Sequence, residues 1–175
     1  MADERTQVSL AEALGSVRDH LRTLKEARAE FSAATRLVER LRCEARIRDF
    51  ALTVDEPPSL GGGDQGPNPV ELLLAALGTC QEIVYAAFAA LLGIPIDRLA
   101  ITVEGVLDPR GLFDVAEVPV GLTEIHYRIE VASPAPKDEI AKLRRLVDAH
   151  CPVLATLSHP ARITSSLVVN GEAAE

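Results

Sequence analysis

Three cysteines stand in a chain of 175 residues, at Cys43, Cys80 and Cys151, and two of them occupy contexts in which sulfur can react. Cys80 lies near the middle of NPVELLLAALGTCQEIVYAAFAALLG (68–93), an almost unbroken apolar run. Unpaired cysteine packs as a small hydrophobe, and burial disfavours the thiolate because the anion loses its hydration. Cys80 on its own would therefore be inert. Cys151 opens CPVLATLSH, and the proline directly after it suits the first position of a helix. A cysteine at that N-cap faces unpaired backbone N–H groups and the positive end of the helix dipole, both of which favour thiolate. An attacking and a resolving cysteine suit peroxide reduction: one thiolate takes oxygen from the O–O bond to become a sulfenic acid, which the second thiol condenses to a disulfide. That cycle requires no metal and no organic cofactor. It does require a cation to hold the thiolate and steady the departing oxygen. Arginine serves best, because its planar fork stays charged and bridges two groups. Arg36, Arg40, Arg42, Arg46 and Arg48 crowd one short stretch.

The surrounding pattern says which elements must position these groups. Leu10, Leu14, Val17, Leu21 and Leu24 repeat at spacings of four and three, which predicts an amphipathic helix from about Val8 to Arg28 with a seam facing another surface. That surface is either a second subunit or the chain's own sheet. Between Phe31 and Val54 the period changes to two: Leu41, Cys43, Ala45 and Ile47 alternate with charged residues, as in a half-buried strand. Cys43 falls on the apolar face and reads as inert packing. DEPPSLGGGDQGPNP (55–69) is a loop, and Asn68 is placed to cap a long helix from Pro69 to Leu92 that Gly93 ends. LAITVEGVLD (99–108) and LTEIHYRIEVA (122–132) read as strands, APKDEIAKLRRLVDAH (135–150) as an amphipathic helix and ARITSSLVVN (161–170) as a closing strand. Residues 1–29 are thus an N-terminal amphipathic helix and 30–175 a single α+β domain.

Bulk properties narrow the partners. Lys and Arg number 18 against 26 Asp and Glu, a net charge of -8, which disfavours nucleic acid because phosphate binding rests on basic residues. The amino terminus MADERTQVSL is charged where a secretory signal is apolar, and Glu71, Gln81 and Glu82 interrupt the long apolar run. A cytoplasmic protein with no membrane partner is expected. Three dispersed cysteines do not make a disulfide scaffold. The triple glycine lacks the Gly-Lys-Ser/Thr of a phosphate loop. A hydrolase dyad of Cys151 with His150 or His159 lacks an oxyanion motif, and a zinc site from Cys80, Cys151, His150 and His159 lacks short paired ligand spacing.

DEPPSLGGGDQGPNPVELLLAALGTC, GIPIDRLAITVEGVLDPRGLF and HCPVLATLSHP together resemble the superfamily of osmotically inducible protein C (OsmC) and organic hydroperoxide resistance (Ohr) proteins, in its OsmC-like branch, over about 31–169. The resemblance implies an α+β fold in an intertwined homodimer, with two long central helices enclosed by mixed or antiparallel sheets and two active sites at the interface. It makes Cys80 peroxidatic and Cys151 resolving. It also implies an activating arginine near the early hairpin, supplied by the other subunit. Arg40 is the best match by its distance from Asp55-Glu56-Pro57, with Arg36 and Arg42 close behind. The glutamate that positions this arginine directly follows Asn-Pro in the hydroperoxidases. Here that position is Val70 and Glu71 comes next, about 180° around an ideal helix from Cys80. The implied substrate is an organic hydroperoxide and the reductant a small or lipoylated dithiol. The competing expectation is a non-catalytic OsmC-like binding protein, holding an apolar small molecule at the dimer interface.

Overall fold

The computed structural model describes residues 8–159 and 161–174. The order of elements is helix, three strands, long helix, two strands bracketing a helical turn, two helices and a terminal hairpin. The long helix α2 (Pro69–Leu92) starts where its sequence requires. Asn68 Oδ1 accepts the Glu71 N–H and the Glu71 carboxylate accepts the Asn68 N–H, each at 2.8 Å. Pro69 takes the first helical position, where no backbone donor is needed. Gly93 ends the helix in the left-handed region at φ 68°, a conformation glycine adopts without steric cost.

Leu77, Gly78, Gln81, Tyr85 and Ala89 form the buried stripe of α2. It faces an antiparallel ribbon of β4 (Arg98–Val106) and β5 (Glu124–Ala132), whose register pairs Ile101 with Ile129 and Val103 with Tyr127. Inward and outward residues alternate along both strands, as their period of two demands. Helix and ribbon approach closely at Gly78, where an added Cβ would stand 3.2 Å from a Val103 methyl. The Glu82 carboxylate accepts the Ile101 N–H at 3.2 Å. Between the strands lies a helical turn, α3 (Pro109–Leu112), capped by Asp108. The next helix, α4 (Lys137–His150), lays Leu143 and Val147 against Tyr85 and Ala89 to complete the core. The short α5 (Pro152–Ser158) follows with one residue between them, Cys151. By length and composition α2 could cross a bilayer; here it packs against β4, α4, α5 and the N-terminal helix.

That N-terminal helix, α1 (Leu10–Thr23), is shorter than its leucine seam predicts. Ser9 and Glu12 form a capping box at its start. Leu24 is already extended, and the residues after it are exposed, so they lack the packing that sustains a short helix. The strands β1 (Ala34–Glu39), β2 (Arg42–Ile47) and β3 (Phe50–Val54) form an antiparallel meander in that order. Only Ala45 of this sheet is buried, while Leu37, Ile47 and Phe50 are exposed. Every sheet is antiparallel. The closing strand expected over 161–170 shrinks to β6 (Leu167–Val169), paired with β7 (Glu172–Ala174). Asn170 and Gly171 turn the chain at φ 53° and 88°, the Asn-Gly hairpin signal that a single-strand reading passes over.

The chain exposes 13953 Å², whereas a compact monomer of its 18.8 kDa would expose about 8,300 Å². The surplus includes the meander and the outer face of α2, where Leu73 and Ile83 are open to solvent.

Candidate active site

Cys80 sits mid-helix on α2, and Cys151 is at once the last cap of α4 and the first cap of α5. Their sulfurs are 3.3 Å apart, with the Cys151 S–H donating to Cys80 Sγ. Both are free thiols. Burial is distributed differently from the sequence expectation: Cys151 is fully buried and Cys80 only half-buried. The apolar run around Cys80 has two apolar faces, and this chain covers one. Leu77 is inside, whereas Leu73, Ala76 and Ile83 leave the outer side of Cys80 open.

Cys151 is an N-cap, as its Cys-Pro pair predicts. The Leu154 N–H donates to its Sγ at 3.5 Å. The thiol is nonetheless pushed up from its ordinary pKa: burial is the largest cause, the Leu154 N–H pulls the other way, and the adjacent Cys80 adds to the rise. Desolvation here outweighs the helix end. Three residues before Cys151, Asp148 accepts the Tyr127 O–H at 3.0 Å and lies 3.6 Å from the Arg144 guanidinium. This pins the last turn of α4 to β5. Tyr85 adjoins the same group, its hydroxyl pushed up to about 12 by burial and then by the Asp148 charge. Sequence reasoning missed this network. Its signal was weak: a tyrosine at an inward strand position and an aspartate one turn ahead of the Cys-Pro cap.

The arginines do not reach Cys80 within this chain. Arg36 pairs with Glu44 across β1 and β2 at 2.6 Å, Arg42 pairs with Glu39 at 3.1 Å, and the Arg48 guanidinium lies 5.0 Å over the Phe50 ring. Arg40 holds the turn between β1 and β2 at φ 50° and donates to the Gly61 carbonyl at 3.1 Å. A non-glycine residue in that region carries a steric cost. Among the described residues, no hydrogen bond or ion pair joins an arginine to either reactive sulfur. Glu71 is likewise engaged elsewhere. Helix α2 starts regularly, so the carboxylate closes the capping box on the side away from Cys80.

The glycine-rich loop is built around a carboxylate of its own. Asp55, almost fully buried, accepts the N–H groups of Glu56, Gly63 and Gln65 at 2.9, 3.1 and 3.2 Å. Burial opposes its ionisation, but these three donors, with help from the Arg42 charge, hold the carboxyl below its ordinary pKa. Gly66 is needed for close approach, since a Cβ there would fall 2.3 Å from the Thr53 carbonyl. The amides that could have cradled a phosphate are thus directed at Asp55. The aspartate six residues ahead of the triple glycine was the legible sign.

The remaining candidates fall outside the site. Cys43 is half-buried on β2, opposite Leu37 and Val54. The His150 Nδ1 lies 2.8 Å from the Leu146 carbonyl, and its ring meets Phe88 edge-on at 5.1 Å. His159 caps α5 at its far end. Among the described residues no group of three or more His, Cys, Asp or Glu could hold a metal ion.

A long capped helix carrying one thiol, packed on an antiparallel ribbon and met by a second thiol at a helix junction, defines an α+β protein of the OsmC/Ohr superfamily type. The chain belongs to the OsmC-like protein family, whose model matches residues 61–166. Solved structures agree on the fold. An OsmC-like protein from Mycoplasma pneumoniae is 24% identical with a TM-score of 0.65, over 77% of this chain and 91% of that one. An organic hydroperoxide resistance protein OsmC from Legionella pneumophila is 18% identical with a TM-score of 0.56, over 77% and 93%. An organic hydroperoxide resistance protein from Elizabethkingia anophelis is 16% identical with a TM-score of 0.58, over 76% and 93%. Among curated protein sequences none matches this chain.

Proposed function

We propose that this protein is a two-cysteine thiol peroxidase that reduces organic hydroperoxides in the cytoplasm as a homodimer. The observation that carries the reading is the 3.3 Å approach of Cys80 and Cys151. The Cys80 thiolate attacks the outer peroxide oxygen. The O–O bond breaks, Cys80 becomes a sulfenic acid and the alkoxide leaves as the alcohol once protonated. The Cys151 sulfur then attacks Cys80 Sγ, the S–O bond breaks, and the departing hydroxide takes the Cys151 proton as water. Closing from 3.3 Å to a disulfide of about 2.05 Å is a small local movement. A small or lipoylated dithiol restores both thiols by exchange, leaving as its own disulfide.

The geometry divides the labour. Cys151 lies on the inner side of Cys80, so peroxide enters from the outer side, along Leu73, Ala76 and Ile83. That apolar stripe suits the hydrocarbon part of an organic hydroperoxide. A second copy of the chain covers the rest of the stripe and brings its meander, with Arg40 at the β1–β2 turn, to the peroxide oxygens. In this arrangement the left-handed strain at Arg40 is the cost of aiming a cation out of a tight turn. Titrating free thiols before and after one equivalent of cumene hydroperoxide tests the reading. Loss of two thiols per chain supports it; loss of none leaves a passive apolar pocket.

A further inference from the structure

On the far stretch of α2 the N-terminal helix packs across the body of the protein and leaves a cavity beside it. Leu14, Val17 and Leu21 of α1, Phe88 and Leu91 of α2 and Leu146 of α4 line a cavity of about 650 Å³, within the size range of small-molecule sites. Val17 and Leu21 remain half exposed in it. A second cavity of about 480 Å³ shares Leu92 and Leu146 with the first, so the two adjoin as a trough whose middle, between α2 and α4, is apolar. The two cavities differ in the polar groups at their edges: the second carries Glu139 and Lys142. Arg18 and Arg22, one turn apart on α1, and His150 edge the first cavity. The His150 Nδ1–H donates to the Leu146 carbonyl, which leaves Nε2 of the neutral ring as an acceptor, so the donors for an anion are the two arginines. Arg22 also meets Asp19 at 3.0 Å, in an exposed pair, which water competes with freely. On a chain of net charge -8, a cationic end on an apolar trough is a specific local feature.

We infer that this trough binds a straight-chain fatty carboxylate, its head on Arg18 and Arg22 and its tail along Leu92 and Leu146. The two arginines at the edge of the first cavity select an anionic head over a cationic or neutral one. The site is separate from the thiols: Phe88 is eight residues beyond Cys80, about 12 Å along the helix axis. Its ligand is therefore not the peroxide undergoing reduction, and the inference stands whether or not the thiols are redox-active. His150 nevertheless adjoins Cys151, so occupancy bears on the last turn of α4.

The test is calorimetric titration of the full chain with dodecanoate and, separately, with dodecyltrimethylammonium, both below their micellar concentrations. The same titrations are run on Arg18→Glu/Arg22→Glu and on Cys80→Ser. The arginines are exposed, so the double variant should fold, which circular dichroism verifies. One dodecanoate per chain is expected, with the ammonium at least about tenfold weaker and the double variant weakened by a similar factor. Cys80→Ser should bind as the parent does. Equal affinity for the two amphiphiles, or dodecanoate binding indifferent to the arginine reversal, would overturn the inference. So would absence of binding together with hydrogen-exchange protection of α1 in a dimer, since a second copy would then fill the trough.

Discussion

Cys151 Sγ rests 3.3 Å from Cys80 Sγ across a separation of 71 residues. Four elements create that approach. The capping box sets the start of α2, the β4–β5 ribbon and α4 fix its inner face, and the Tyr127–Asp148 hydrogen bond pins the turn that delivers Cys151. The thiol with access to the outside is Cys80, and the one sealed within is Cys151. This asymmetry is what a peroxidatic and a resolving cysteine would need.

The Cys151 thiol is raised by burial above its ordinary range, so at neutral pH its thiolate is scarcer than that of a free cysteine. The rate of disulfide formation after sulfenic acid appears should therefore climb with pH through the usual thiol range, about pH 8.5, and continue upward beyond it. Rapid acid quench followed by thiol alkylation reads this rate. A profile flat from neutral to alkaline pH would mean that the Cys151 proton is not lost in the resolving step.

Arg40 occupies a left-handed turn position that glycine would fill without strain. Arg40→Gly should leave thermal stability unchanged or raise it by up to about 1 kcal/mol. Peroxide consumption should fall by about a hundredfold, as when an enzyme loses one charge-stabilising donor. Arg36→Ala, which breaks only an exposed pair with Glu44, should reduce turnover far less. If the two variants lose activity equally, the activating cation is not Arg40.

Asp55 gathers the loop ahead of α2 through three N–H donors, and its carboxyl is held below the ordinary range. A depressed carboxyl stabilises the fold fully above its unfolded pKa of about 3.9, and that contribution fades as pH falls through the lower folded value. Asp55→Asn should melt well below the parent at pH 7, and the gap should narrow in acid below about pH 4. Coincident melting curves at neutral pH would show that the loop does not depend on this carboxylate.

An exposed area of 13953 Å² against about 8,300 Å² for a compact chain of this mass calls for a partner of similar extent. Sedimentation equilibrium should return twice the chain mass of 18.8 kDa at micromolar concentration. A monomer under those conditions would leave Phe50, Leu37 and Ile83 without cover and would contradict the proposal that a partner's Arg40 reaches Cys80.

Much of this organisation was legible in the sequence because it is local. Asn68-Pro69 and Gly93 mark the ends of α2, period-two alternation marks β4 and β5, and Pro152 marks the start of α5. What was not legible depends on which surfaces meet. An apolar run reads as buried, yet only one face of α2 is covered by this chain, so Cys80 is more open than expected. The Asp55 carboxylate and the Tyr127–Asp148 contact join residues whose roles appear only once loop and helix are folded. The leucine seam of α1 likewise disclosed an apolar face without disclosing the trough beneath it.

Peptide mapping of the protein after one equivalent of cumene hydroperoxide addresses the redox reading at its root. A crosslinked pair of peptides containing Cys80 and Cys151, with Cys43 still alkylatable, is the expected product. In Cys151→Ser the same treatment should leave Cys80 as a dimedone-trappable sulfenic acid, and Cys80→Ser should consume no peroxide. Recovery of both cysteines unmodified from the treated parent protein would contradict a thiol peroxidase and leave the apolar pocket as the function of the fold.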